Sequence, residues 1–122
     1  MRRTECLIAL RMASDDTIYH LVEHGPWLTK ADYAPESLQS EGFIHFSTRD
    51  QLEGTLARFY GHTQSLFLLE IASDQLTSAL RYESVHGSRF PHLYGPLNPD
   101  AVCAIHLLQR GKDGNYALPG TL

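Results

Sequence analysis

The chain has 122 residues, 43% of them hydrophobic, and a formal net charge of −4. That length supports one domain around a single core, and an acidic balance without a basic stripe argues against a dedicated nucleic-acid binder. No apolar run approaches a membrane span, and the run Cys6 to Leu10, cut short by Arg11 with no small-residue cleavage site after it, does not read as a signal peptide.

Taken in order, residues 4–10 read as a strand or an extension, broken by Ser14, Asp15 and Asp16. Thr17 to Val22 is a better strand, β-branched and aromatic, with Ile18, His20 and Val22 on one face. His24-Gly25-Pro26-Trp27 makes a turn that carries the only tryptophan. Pro35 to Glu41 reads as a short helix, with Pro35 in its first turn, Leu38 on its inner face and Gly42 as its stop. Phe43 to Phe46 is a short strand in which Ile44 and Phe46 share one face, Phe43 and His45 the other. Thr48 and Gln51 then fit a capping box, opening a helix over about 49–60 with Leu52, Leu56, Phe59 and Tyr60 on its apolar face.

The second half is richer in strands. Leu66 to Ile71 is a continuous apolar run of strand length, as expected of a central strand buried on both faces. A helical turn follows over Ser73 to Leu76, and Leu80 to Glu83 reads as another short strand. The prolines at 91, 96 and 99 forbid a helix over Phe90 to Leu97, which reads as an irregular, aromatic-rich loop or edge. Ala101 to Leu108 closes the sheet, with Val102, Ile105 and Leu107 supplying bulk, and residues 111–122 form a polar, Gly-rich mobile tail. Short strands mixed with short helices predict an α+β fold, one domain over 1–122, with a mixed or mostly antiparallel sheet. Cys6 and Cys103, distant and flanked by apolar residues, read as buried thiols of a reducing, cytoplasmic compartment.

Chemistry gathers where strands end. His20, His45 and His92, with Ser47, Thr48, Tyr94 and Glu83, form a candidate cluster, since imidazole donates, accepts and titrates near neutrality. The plainer reading makes Thr48 a cap and His45 a core residue with a satisfied hydrogen bond. No metal site is expected: His20 and His24 are four apart, but on a strand and turn and not on the helix of an H-E-x-x-H site. Ser47 lacks a nucleophile elbow, and no glycine-rich phosphate loop occurs.

Ile18-Tyr19-His20, Ser37-Leu38, Glu41 to Ser47, Glu83 and Phe90 to Leu97 occur in an order that resembles a small, mainly bacterial family, "domain of unknown function 952", over about residues 17–108. More distantly, Tyr19-His20 on a first strand resembles the opening motif of the ADP-ribosyltransferase fold. The run from Leu38 to Ser47 is similar to the RNA 2′-phosphotransferase pattern, in which a strand ends His-x-His-x-Ser. Ile44-His45-Phe46-Ser47 supplies the second histidine and the serine, and Phe43 stands in place of the first histidine.

The resemblance implies a split sheet whose cleft holds NAD or a nucleotide-like phosphate ligand. It places His20 against a ribose, and His45, Ser47 and Thr48 against a phosphate or the nicotinamide side. Such transferases use a late glutamate, for which this chain offers Glu83, His92 and Tyr94. The expected catalytic set is therefore His20, His45, Glu83 and His92, with Ser47, Thr48, Trp27, Tyr94 and Arg49 binding ligand. The activity implied is that of a transferase acting on NAD or a phosphate substrate. The alternative is a non-catalytic module that holds a small anionic or nucleotide ligand in the same cleft.

Overall fold

A computed structural model describes residues 17–23, 32–120 and 122 of the chain. In order they form β1 (Thr17–Val22), α1 (Glu36–Ser40), β2 (Ile44–His45), α2 (Leu52–Phe59), β3 (Ser65–Ala72), β4 (Ala79–Val85), β5 (Ser88–Tyr94) and β6 (Val102–Gln109). Single 3-10 turns lie at Arg49–Gln51, Ser73–Gln75 and Pro99–Ala101. The strands make two antiparallel three-stranded sheets, ordered β1-β3-β6 and β2-β5-β4. The fold is α+β with a split sheet. No helix among the described residues is long and apolar enough to cross a membrane.

Burial explains why β3 is apolar on both faces from Leu66 to Leu69, ahead of Glu70, whose buried carboxylate pairs with His106. On one face Ile18, Leu69 and Ile71 pack against Ile44, Phe46, Leu93 and Leu97, joining the two sheets in one core. On the other, Tyr19, Leu21, Leu66, Leu68 and Leu108 meet Leu52 and Leu56 of α2. A strand covered on both sides cannot alternate polar with apolar, so the expectation of a central, doubly buried strand is met by β3. Leu52 and Leu56, one helical turn apart, are buried, each contributing about 1.5–3 kcal/mol of apolar transfer. Gln51 closes the capping box by accepting from Thr48 N–H at 3.0 Å.

Several expectations are corrected. The segment around Phe90 to Leu97 is not an irregular loop: β5 is the middle strand of the second sheet, between β2 and β4. Pro91 is tolerated there for a geometric reason. Its carbonyl accepts from Phe46 N–H at 3.0 Å, so its nitrogen faces the same side, toward the end of the short β2 rather than into the β4–β5 ladder. His86 and Gly87, both at positive φ (51° and 86°), make the tight turn that joins β4 to β5. Phe59 is exposed at 57%, because α2 ends there and Tyr60 departs from helical geometry. Ile105 and Leu107, on the outer strand β6, are also exposed.

Residues 111–120 and 122, part of the segment expected as a mobile tail, lie along the α2 side of the first sheet. Tyr116 pairs with Arg110, and its hydroxyl donates to Tyr60 O at 3.0 Å and to Thr63 O. Leu118 and Leu122 pack on the same core. Cys103 is disulfide-bonded and not a free thiol, which removes one argument for a reducing compartment. The expected strand over 4–10, Cys6 and the turn that carries Trp27 lie outside the described residues.

One glycine is required by close approach. A Cβ on Gly95 would sit 2.4 Å from Ser78 Oγ and 2.7 Å from Ser78 Cβ. Ser78 is itself held by donating to Pro96 O at 2.8 Å. Gly95→Ala is therefore expected to lower stability by about 1–3 kcal/mol, the usual cost of overpacking. Urea unfolding checks it, and a change within experimental error would show that Ser78 moves freely.

Candidate functional site

Beyond their shared core, the edges of the two sheets are tied at Tyr19 and Ser47, and that seam makes the site. Tyr19 and Ser47 exchange backbone hydrogen bonds, both 2.8 Å, tying the edge of the first sheet to the chain just beyond β2. One residue further along β1, His20 Nδ1 donates to His45 O at 2.8 Å. Past this seam lies a cleft of about 630 Å³ between β1 and β2, lined also by residues of α1 and α2 and by Val85 and Phe90 of β4 and β5. Its size falls within the range of small-molecule sites, roughly 300–1,000 Å³.

His20 forms the floor and is 8% exposed. Burial pushes its pKa down to about 4, against a smaller opposing effect of its bond to His45 O. The ring is therefore neutral near pH 7. With its proton on Nδ1, Nε2 is an acceptor, and the Tyr33 hydroxyl donates to it at 3.3 Å. Phe46 and Tyr33 flank the ring at 5.2 and 5.5 Å between centroids. Burial raises the pKa values of Tyr33 and Tyr60, so both phenols stay protonated.

The cleft wall next to His20 carries Ser47 and Thr55, whose hydroxyls lie 3.1 Å apart, and beyond them Arg58. At the mouth, His45 is exposed, and its Nε2 pairs with Glu41. His45 is thus no core residue: alternation turns its side chain outward while Ile44 and Phe46 are buried.

The expected site residues divide into two groups. His20, His45 and Ser47 line the cleft. Glu83, His92 and Tyr94 gather on the outer face of the second sheet, where Glu83 accepts from His92 Nδ1 at 2.7 Å and from the Tyr94 hydroxyl at 2.6 Å. His45 touches both groups, its ring 5.5 Å from that of His92. Thr48 caps the turn into α2, and Arg49, exposed on that turn, is not part of the cleft wall.

Tyr33, Glu41, Thr55, Arg58 and Tyr60 join the cleft without having been expected. Thr55 and Arg58 lie three apart on α2, so one helical face already pairs a hydroxyl with a cation. Glu41 and His45 are four apart, but positive φ at Gly42 (90°) ends the helix between them. Their meeting follows from that turn and not from helical spacing. Among the described residues no group of three His, Cys, Asp or Glu is placed to hold a metal ion.

The sequence pattern of the family described as "Protein of unknown function (DUF952)" matches residues 21–105, which is most of the chain. The chain belongs to this family. Among solved structures it is similar to the crystal structure of protein CC0527 from Caulobacter crescentus. The identity is 29% and the TM-score 0.70, covering 83% of this chain and 93% of that one. The solution structure of CC0527 gives 29% identity and a TM-score of 0.68, over 82% and 90% of the two chains. No curated protein matches the chain. The residues matched to the DUF952 family run from the end of β1 into β6, so they include His45, Ser47, Glu83, His92 and Tyr94 and begin just after His20.

Proposed function

We propose that this DUF952 protein is an ADP-ribosyltransferase-like enzyme whose cleft takes NAD or a nucleotide-like phosphate substrate. The observation that carries this is the neutral, buried His20, held by His45 O so that Nε2 is an acceptor on the cleft floor. An acceptor there suits a ribose hydroxyl, which Tyr33 replaces when the cleft is free. Arg58 supplies the one cationic side chain among the described cleft residues and suits a phosphate. The Ser47 and Thr55 hydroxyls adapt as donors or acceptors, and Tyr33, Phe59 and Phe90 offer aromatic surface to a base or nicotinamide ring. Glu41 and His45 stand at the mouth as a carboxylate–imidazole pair able to take up or release a proton.

A second reading, a binding module without turnover, is favoured by Glu83. The expected late glutamate is engaged by His92 and Tyr94 and lies outside the cleft wall.

Thermal unfolding with NAD, ADP-ribose, nucleotides or inorganic phosphate tests the cleft. A ligand at 100 times its Kd adds about 2.7 kcal/mol, a rise of several degrees in Tm, and His20→Ala is expected to abolish the rise. If none of these ligands shifts the wild-type Tm, the cleft reading fails. Release of nicotinamide from NAD, lost in His45→Ala, separates the enzyme from the binding module.

A further inference from the structure

Outside the cleft, the outer face of the β2-β5-β4 sheet carries a row that register makes unavoidable. Arg81 lies opposite His92, and His92 opposite His45, so all three side chains leave the same face. His92 is held by Glu83, and Glu83 in turn by the Tyr94 hydroxyl. Both bonds favour the carboxylate, and they hold Glu83 below the usual glutamate range, Tyr94 contributing more than His92. Phe43 stacks on the His92 ring at 4.0 Å between centroids, tilted by 18°.

A neutral ring whose Nδ1–H is given to Glu83 carries its lone pair on Nε2. The His92 side chain is only 5% exposed, and no described group bonds to its Nε2. Yet among the described residues the single buried side-chain polar atom without a partner is Arg110 Nε. His92 Nε2 is thus not among the fully buried atoms that lack a partner. An imidazole stacked beneath Phe43, oriented by a carboxylate and with no described partner on its acceptor nitrogen has the geometry of a general base. Beside it His45 is tied to its own carboxylate, Glu41, and the two rings meet edge to face at 74°.

Two imidazoles side by side, each on its own glutamate, suit a reaction that removes a proton from one oxygen and delivers one to another. We propose that His92 and His45 are the base and acid of a hydrolytic centre for phosphate diesters, with Arg81 as counter-charge to the phosphoryl group. Arg81 is exposed, its guanidinium 5.1 Å from the centre of the Tyr94 ring, and its planar fork matches phosphate oxygens. The charge balance chooses the diester. One guanidinium beside Glu41 and Glu83 tolerates a monoanion better than the dianion of a monoester.

In the step, water gives a proton to His92 Nε2 as its oxygen bonds to phosphorus. The bond from phosphorus to the departing oxygen breaks, and that oxygen takes a proton from His45. One water is consumed, one ester bond is cleaved, and a monoester and an alcohol leave. Return of a proton from His92 to His45 through solvent restores the pair. The inference rests on the proposed cleft only for where the remainder of a nucleotide diester would lie, since His45 lines both places.

The test uses the full chain with bis(p-nitrophenyl) phosphate, a diester small enough not to need the cleft, and with p-nitrophenyl phosphate. Wild type is expected to hydrolyse the diester in preference to the monoester. His92→Gln, chosen because alanine would leave a cavity beneath Phe43, should lower kcat roughly 100-fold or more while the circular dichroism spectrum and cooperative melting are kept. Glu83 is a positioning residue, so Glu83→Gln should lower kcat and leave KM unchanged. No diester turnover by wild type, or a folded His92→Gln as active as wild type, overturns the proposal. A Glu83→Gln effect on KM alone also counts against it. Failure of the cleft reading is seen separately, as the absence of any Tm shift with NAD or ADP-ribose.

Discussion

Leu93→Ala is expected to cost about 2–5 kcal/mol of unfolding free energy, the range for emptying a buried leucine site. Leu93 is fully buried on β5, between Ile44 on β2 and Leu80 on β4, and it faces the core that joins the two sheets. Its neighbours belong to three strands and both sheets, so the cavity cannot close by a shift of one element, which puts the cost toward the upper part of that range. Urea denaturation measures it. The m-value should stay constant if the two sheets still unfold together. Surface substitutions usually lie within about 0.5 kcal/mol of zero. A Leu93→Ala effect of that size would mean that the segment is a peripheral loop after all.

That prediction concerns the element that the sequence hides best. Phe90-Pro91-His92-Leu93-Tyr94 lacks the look of a central strand because Pro91 removes a ladder donor. What makes the strand viable is the brevity of β2, which leaves the Pro91 nitrogen facing the end of a ladder, and no local signal announces the length of a partner strand. β1 and β3 were legible for the opposite reason. Their β-branched and leucine-rich runs are buried on both faces, so composition alone marks them. Ile105 and Leu107 show the limit of that argument: an apolar strand at the sheet edge looks the same in sequence as one at its centre.

The site was legible in its residues but not in its grouping. His45, Ser47 and Tyr94 stand at or just past strand ends, while His20, Glu83 and His92 lie within strands, and as polar side chains among apolar neighbours they are visible in a single sequence. Which of them meet depends on register. His45 opposite His92, and Glu83 within reach of His92 and Tyr94, follow from the pairing of β2, β5 and β4. The split of one expected cluster into a cleft and an outer-face centre is a consequence of topology. Arg58 was overlooked because an arginine on a helix ordinarily faces water, and only the closure of α2 over the cleft gives it a role.

The largest pH effect should come from His20. Its folded-state pKa, about 4, lies below the ordinary value of 6.5, because burial disfavours the imidazolium. Between those values the unfolded chain binds a proton that the folded chain does not, so stability falls as pH drops from about 6.5 to 4 and levels off below that. The shift corresponds to about 3 kcal/mol for this group. Glu83 adds a loss of the same sign at lower pH, since its carboxylate is favoured in the folded state and its contribution disappears as pH falls through its depressed pKa. The two are separated by His20→Gln, whose amide can donate to His45 O and accept from Tyr33 without titrating. Unfolding free energies at pH 7, 5.5 and 4 should fall more steeply for wild type than for His20→Gln, with a difference approaching 3 kcal/mol at pH 4. Parallel curves would place a charged imidazolium in the folded protein. That would remove the Nε2 acceptor on which the ribose contact depends.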